Sequence, residues 1–486
     1  MKFMLERACA ALLLDPGMGK TSCVYGAVKV LMKRGLSTKT LVIAPLRPCW
    51  LVWPAEQEKW TDFKGLRVEV LHGPHKDEAL ARDADIYVIN PEGLEWLFGC
   101  SIVRAPYINK DGVEKVHVKI KWDFKRFKKF GFDTLVIDEL TMFKHPKSLR
   151  FRILKPMLRF FARRWGLTGT FAPNGLVDLF GQCYVLDMGN ALGPFITHFQ
   201  NQFFDKSFDG FSFVLREGAE EKIYERVRPL ALRMEARDYL ELPEEVPSTI
   251  WIDLPPKIRT MYDELEKSFI TMLDDGSYVT AANAAAKATK LRQIACGGIY
   301  KKFDSDGMPL QVTEAVNLHS EKTNALRELV DGCNGKPVLV AYEFHHDLDR
   351  LLKEFGKNTP VIGAGVSMAR CKEIEREWNL GRLGMLLGQP AAMGHGLNLQ
   401  VACDRVVWHS LTWNLELFDQ YNDRVLRQGN TSKRVFVDRI VARNTVEEAV
   451  ILSLGGKDRT QQALLKALKT YAEQRRSVLG INKKKH

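Results

Sequence analysis

Nowhere in the 486 residues does an apolar run approach the ~20 positions that a bilayer-spanning helix needs, so no segment is expected to cross a membrane. The nine cysteines (Cys9, Cys23, Cys49, Cys100, Cys183, Cys296, Cys333, Cys371 and Cys403) include no C-x-x-C. Reduced, buried thiols in a cytoplasmic protein are expected, and a zinc site is not. No internal repeat and no long low-complexity segment interrupts the chain. An export signal is not expected either. Lys2, an apolar patch and Ala-Cys-Ala at 8–10 imitate one, but Glu6 and Arg7 break the patch, and cleavage would remove the lead into the glycine-containing loop that follows. Negative charge is in short supply: 59 Asp and Glu against 71 Lys and Arg leave a formal charge of +12. That balance favours a polyanionic partner such as DNA or RNA without requiring one. Core-forming residues are plentiful, at 45% hydrophobic with 27% charged, and a chain of this length is expected to fold as two or three domains.

Among the residues present, ALLLDPGMGKTS at 11–22 carries the most information. A short apolar run, Ala11 to Leu14, leads into a glycine-containing turn, then Lys20 and Thr21, then a stretch from Ala27 to Met32 that predicts a helix. That order is strand, phosphate loop, helix. Gly17 and Gly19 lack a Cβ, so the backbone can turn tightly and aim successive N–H groups at phosphate oxygens, at the positive end of the new helix. Gly17, Met18, Gly19, Lys20, Thr21 and Ser22 are therefore candidate nucleotide-binding residues, with Lys20 reaching the β- and γ-phosphates and Thr21 holding Mg2+. The stretch departs from G-x-x-x-x-G-K-[ST], because Leu14 stands where the first Gly is expected. A glycine-rich turn with an incidental lysine is the competing reading.

Thr40 to Ala44, Arg67 to Leu71, Asp85 to Asn90 and Thr134 to Ile137 predict further strands. Apolar strands alternating with helical stretches imply a mostly parallel α/β sheet covered on both faces, with ligands at the carboxyl ends of the strands. Asp138 and Glu139 follow TLVI directly and so fall on that rim. Asp138 is placed to hold Mg2+, and Glu139 to orient and deprotonate an attacking water; a solvated acidic turn is the alternative. Trp50, Trp53 and Trp60 read as packing, with base stacking as the alternative. From Tyr107 to Phe130 the chain is basic and alternating around an expected Asp111-Gly112 turn. Its Lys119, Lys121, Lys125, Arg126, Lys128 and Lys129 either track a phosphate backbone or coat a solvated hairpin.

Residues 165–174 (WGLTGTFAPN), with 138–148 (DELTMFKHPKS) before them and 228–243 (RPLALRMEARDYLELP) after, resemble the Swi/Snf-like branch of superfamily 2 helicases, in the compact stand-alone form of bacteria and bacteriophages. The match runs in order over nearly the whole chain. Thr168, Gly169 and Thr170 fit the family's L-T-G-T element, which couples hydrolysis to movement, with Phe171 for the usual Pro. Lys144, Pro146 and Ser148 fit the segment after the Asp-Glu pair, whereas Leu140 and Thr141 stand where the family has Ala-His. Pro45, Trp53, Glu56 and Trp60 match its first DNA-contacting element. Ser320 and Lys322 match the start of a family helix. Met393 to Gln400 (MGHGLNLQ) resembles G-G-x-G-L-N-L and adds Gly396 and Asn398 to the coupling residues. Gln420, Asp423, Arg424, Arg427 and Gly429 match Q-A-x-D-R-x-x-R-I-G-Q. The resemblance makes Lys20, Asp138, Glu139, Gln420, Arg424 and Arg427 the catalytic set. Arg424 and Arg427, three apart on an expected helix, project the same way and can clasp a γ-phosphate.

The resemblance implies an α/β fold of two RecA-like P-loop domains with helical insertions. Residues 1–242 would form the ATP-binding domain with a helical protrusion at about 175–240. Residues 243–445 would form the second helicase domain, and 446–486 a brace helix and basic tail. Pro243, Pro247, Pro255 and Pro256 read as a stiff connection between the domains. Strands are expected at 338–341, 360–362, 384–387 and 405–408, and helices over 257–273 and 281–288. The implied activity is a DNA-dependent ATPase translocating on DNA, duplex favoured, with ATP and Mg2+. A monomer is expected, with a protein loading factor as a further partner. A strand-separating or annealing helicase shares every catalytic element and stays open. So does a nucleotide-gated DNA-binding module with little hydrolysis, for which Leu14 and Leu140-Thr141 speak. No Gln precedes Lys20 to serve as the family's adenine-reading element, so either the start of the natural chain lies upstream or the base is held loosely, and weakened adenine selectivity is expected of this sequence.

Overall fold

Short runs such as Thr40–Ile43 and Ile86–Ile89 are buried at every position, which a strand allows only where both faces of its sheet are covered. In the computed structural model, which describes residues 1–108, 114–169, 171–172, 175–206, 213–274, 281–300, 314–393, 397–455 and 461–481, they lie inside a seven-stranded parallel sheet. Its order is Ala231–Met234, Cys9–Leu14, Arg163–Thr168, Thr134–Asp138, Thr40–Ile43, Ile86–Ile89 and Val68–Val70. Side chains alternate between the faces as the pleat demands. Leu12 and Leu14 join Val42, Val136 and Trp165 on one side, and Leu13 joins Leu41, Ile43 and Ile137 on the other. The chain divides into two compact units, Met1–Tyr239 and Leu240–His486.

In the first unit the helix expected from Ala27 begins earlier and runs Lys20–Lys33, burying Val24, Tyr25, Ala27, Val28 and Leu31. Residues 175–240, expected as helices with loops, form a helical cluster around Leu179, Phe180, Cys183, Phe199 and Ile223. They also contribute Ala231–Met234, the outermost strand of the sheet. The basic stretch forms an antiparallel ribbon, Ser101–Ile108 with Glu114–Lys121; its expected Asp111-Gly112 turn lies outside the described residues.

The second unit holds a six-stranded parallel sheet ordered Glu244–Ile252, Arg434–Ala442, Arg405–Trp408, Val338–Ala341, Met385–Gly388 and Val361–Ile362. The proline-rich connection is thereby corrected: its middle is a nine-residue strand in register with Arg434–Ala442 over its whole length. Pro247 is tolerated because the strand is at the sheet's edge, where a missing N–H breaks no ladder. Helices Pro256–Asp274 and Ala281–Ala295 pack in the second core, and so does Gln461–Leu479 from the segment set apart as brace and tail. The Tyr471 hydroxyl donates to Glu266 Oε1, and Arg475 reaches Glu266 at 3.0 Å and Asp263 at 3.2 Å. Among the described residues, no helix is long and apolar enough to cross a membrane.

Candidate active site

The glycine-containing turn closes through two left-handed residues, Gly17 at φ 86° and Gly19 at φ 72°, a region that costs glycine nothing. Gly19 caps the helix, Lys20 opens it, and no acidic residue occupies the first turn, so its positive end is not offset from within. Leu14, in place of the first glycine, ends the strand; its side chain is 4% exposed in the core. Its carbonyl accepts from Lys20 Nζ at 2.5 Å, and that of Asp15 accepts at 3.2 Å. The loop is tied on by Asp15 Oδ2, which takes the Ala236 N–H at 2.8 Å. Met18 packs against the core, Thr21 is partly exposed, and Ser22 Oγ donates to Glu56 Oε1, which also accepts from Trp60 Nε1 at 2.6 Å. A helix start that no side chain caps, left-handed glycines and a lysine folded over the loop fit a polyphosphate.

Asp138 ends its strand beside this loop. Burial pushes its carboxyl up to about 6; the Trp53 hydrogen bond and the Lys20 charge pull it down, while Glu139 pushes it up. A desolvated carboxylate within reach of the lysine charge fits a divalent cation, which would relieve the same penalty. Trp53, fully buried, donates from Nε1 to Asp138 Oδ2 at 2.9 Å. Its placement favours packing over base stacking, whereas Trp60 is 46% exposed. Glu139 sits at φ 75°, uncommon for a residue with a side chain. Its Oε1 accepts from Thr141 Oγ1 at 2.7 Å and from Thr168 Oγ1 at 2.8 Å. Thr141, where the family has His, thus acts on the same oxygen as the L-T-G-T threonine. Leu140 fits because Gly166 has no side chain: a Cβ there would lie 2.9 Å from Leu140 Cδ1. Gly169 borders the loop beside Leu14 and Pro16. Thr170 and Gly396 lie outside the described residues.

In the second unit the arginine pair differs from expectation. Helix Leu415–Asn422 ends before it, and both arginines sit in the turn that follows, not on a shared helix face. They nonetheless meet one segment. Arg424, 6% exposed, donates to the Leu397 carbonyl at 3.2 Å and to the Gln420 carbonyl at 3.0 Å; Arg427 donates to Asn398 Oδ1 at 2.8 Å. Burial lowers the Arg424 guanidinium to about 10, with Arg427 adding to the fall. Gln420 Nε2 donates to Glu416 at 3.2 Å. The Asn398 N–H is held by Glu375 at 2.7 Å, and its carbonyl by Asn379 Nδ2 at 2.8 Å. Sequence reasoning missed Glu375, Asn379 and the hydroxyl of Thr141. No spacing links the first two to residues 397–399, because helix Met368–Asn379 meets that loop only in the fold.

The structure thus gathers Gly17 to Ser22, Asp138, Glu139, Thr168 and Gly169 in the first unit, and Asn398, Gln420, Arg424 and Arg427 in the second. The SNF2-related domain family matches residues 1–298. Protein p41 of Acyrthosiphon pisum secondary endosymbiont phage 1 is 32% identical over 478 residues, covering 93% of this chain and 93% of its own. An uncharacterized ATP-dependent helicase of Mycoplasma genitalium is 26% identical over 340 residues; the match covers 68% of this chain and 30% of the longer relative. Among solved structures, the Sulfolobus solfataricus SWI2/SNF2 ATPase core in complex with dsDNA matches at a TM-score of 0.40 and 21% identity, over 98% of this chain and 94% of that one.

Proposed function

Because the chain belongs to the SNF2-related domain family, we propose that it is a DNA-dependent ATPase that couples ATP hydrolysis to translocation along duplex DNA. The observation that carries hydrolysis is the Glu139 carboxylate, clamped by Thr141 and Thr168 next to Asp138, on the rim from which the Lys20 helix departs. The N–H groups of residues 17–22 and Lys20 bind the phosphates of ATP. Thr21 and Asp138 are the residues to hold Mg2+, which when bound offsets charge developing on the phosphoryl oxygens. Glu139 turns the attacking water toward the γ-phosphorus and takes its proton. Arg424 and Arg427 supply cationic stabilisation from the second unit, and Asn398 and Gln420 position that segment. The +12 charge supports a nucleic-acid track in general, and the family supports a duplex one.

The test is ATP turnover without DNA and with single-stranded, duplex and forked DNA. Duplex is expected to stimulate most. Lys20→Ala abolishes turnover, and Arg427→Ala lowers kcat about a thousandfold while nucleotide still binds. Turnover indifferent to every DNA would sink the proposal. Displacement of a triplex strand without unwinding of the duplex distinguishes the translocase from a strand-separating helicase.

A further inference from the structure

The ribbon of Ser101–Ile108 and Glu114–Lys121 takes no part in the hydrolytic site, yet it is built as a surface with two unlike faces. In its register Ile102 faces Ile120, and the next pairs are Val103 with Lys119 and Ser101 with Lys121. Directly opposed residues share a face, and successive pairs alternate. The first face is glued down: Ile120 is 8% exposed, and Ile102 and Val118 pack against the first unit's core. Two polar pins fix it further. Arg152 Nη2 donates to the Val118 carbonyl at 2.6 Å, and Trp122 Nε1 donates to the Ile153 carbonyl at 3.1 Å. Both pins belong to helix Leu149–Leu154, whose cap Ser148 closes the segment that begins at Asp138.

The opposite face points to solvent: Val103 is 53% exposed, and Ser101, Lys119 and Lys121 are exposed with it. Exposed Lys125, Lys128 and Lys129 continue the run on the short helix that follows. From 115 to 129 the chain holds seven Lys and Arg against one Asp. Among the described residues, no carboxylate pairs with Lys119, Lys121, Lys125, Lys128 or Lys129. A rigid, uncompensated cationic ribbon has no purpose in the core and raises self-repulsion, so it selects for an anionic partner. Alternate residues of a strand repeat at about 6.8 Å, close to two base-pair steps of a duplex, so Lys119 and Lys121 can neutralise phosphates along one strand.

We propose that this ribbon is a second, sequence-independent duplex-binding surface that holds DNA without nucleotide. DNA as its physiological partner rests on the reading of the chain as a DNA-dependent ATPase, but its binding does not need hydrolysis. The test compares the full chain with Lys119→Ser/Lys121→Ser/Lys125→Ser, and with the charge reversal Lys119→Glu/Lys121→Glu, after circular dichroism shows equal folding. Nucleotide-free affinity for duplex is read by anisotropy from about 50 to 200 mM salt. The triple variant is expected to bind about tenfold more weakly, with its log–log salt slope reduced by about 2–3, and the reversal to bind more weakly still. The duplex concentration that half-saturates ATPase rises in step, while turnover at saturating duplex and without DNA is unchanged. Unaltered affinity and slope in both variants would overturn the proposal, as would lost binding to anionic vesicles with duplex affinity intact. Wild-type turnover indifferent to DNA would instead overturn the ATPase reading, while the salt slopes would still judge the ribbon.

Discussion

Trp53 and Asp138 lie 85 positions apart in the chain and 2.9 Å apart in space, and that single bond sets much of what Asp138 can do. Burial alone favours the neutral acid; the indole N–H is the chief group favouring the carboxylate that a cation requires. Trp53→Phe keeps an aromatic ring in the buried slot and removes the donor. A lost hydrogen bond to a buried charged group costs about 1–3 kcal/mol, so the Mg2+ concentration that half-saturates ATPase is expected to rise about tenfold. An unchanged Mg2+ requirement would show that the bond does not tune the acid. At this scale the sequence was legible where chemistry follows from position along a strand. Asp138 and Glu139 close an apolar run, and a parallel sheet puts such residues on its ligand-binding rim. It was not legible where partners come from separate elements, as with Trp53 on Asp138, Glu56 on Ser22 and Glu375 on Asn398. Arg424 and Arg427 fell between the two. Their side chains meet neighbouring residues of one loop, but the helix assumed for them stops at Asn422.

Elements were legible in proportion to how apolar they are. Thr134–Asp138 and Val338–Ala341 announce themselves, whereas Arg434–Ala442 hides because Asp438 interrupts it. That carboxylate is only 3% exposed, paired with Arg405 at 2.5 Å and accepting from Ser248, so a buried strand carries a charge that reads as surface. Its neighbour Glu244–Ile252 hides behind Pro247, which reads as a breaker unless the strand is known to be an edge. Gly181 hides in another way. Inside helix Leu179–Asp187 it looks like a defect, yet a Cβ there would lie 2.3 Å from the Phe143 carbonyl and 2.7 Å from that of Lys144. The glycine lets the helix lie directly on the backbone that follows Asp138 and Glu139. Ala is the better helix former by about 1 kcal/mol, but the clash is with backbone that cannot swing aside, and overpacking costs about 1–3 kcal/mol. Gly181→Ala is therefore expected to lower the first unit's stability by up to about 2 kcal/mol in urea unfolding. A stabilised variant would mean that the helix is not seated on that turn.

Taken as a whole chain, the two units bury different chemistry and should answer acid differently. The second unit encloses a polar network in which Lys322 Nζ reaches Glu447 at 2.6 Å and the carbonyls of His409 and Ile440. Within it, burial lowers His319 to about 4 and His409 to about 3. Both histidines stay neutral in the folded unit well below the 6.5 at which they take up protons when unfolded. From about 6.5 downward the unfolded state therefore binds protons that the folded state refuses, and stability falls with pH. In the first unit Asp138 is raised to about 6, so the folded state takes its proton first and acid relieves a cost there. Between about pH 7 and pH 5 each histidine is expected to cost the second unit about 2 kcal/mol. Hydrogen exchange across a urea series, read separately on peptides from 1–239 and 240–486, is expected to show the second unit unfolding at lower urea at the acid end. The first unit should hold, and His319→Gln should recover about half of the loss, about 2 kcal/mol. Equal acid sensitivity in the two units, or a His319→Gln chain as acid-labile as the parent, would mean that these buried imidazoles do not set the pH at which the second unit opens.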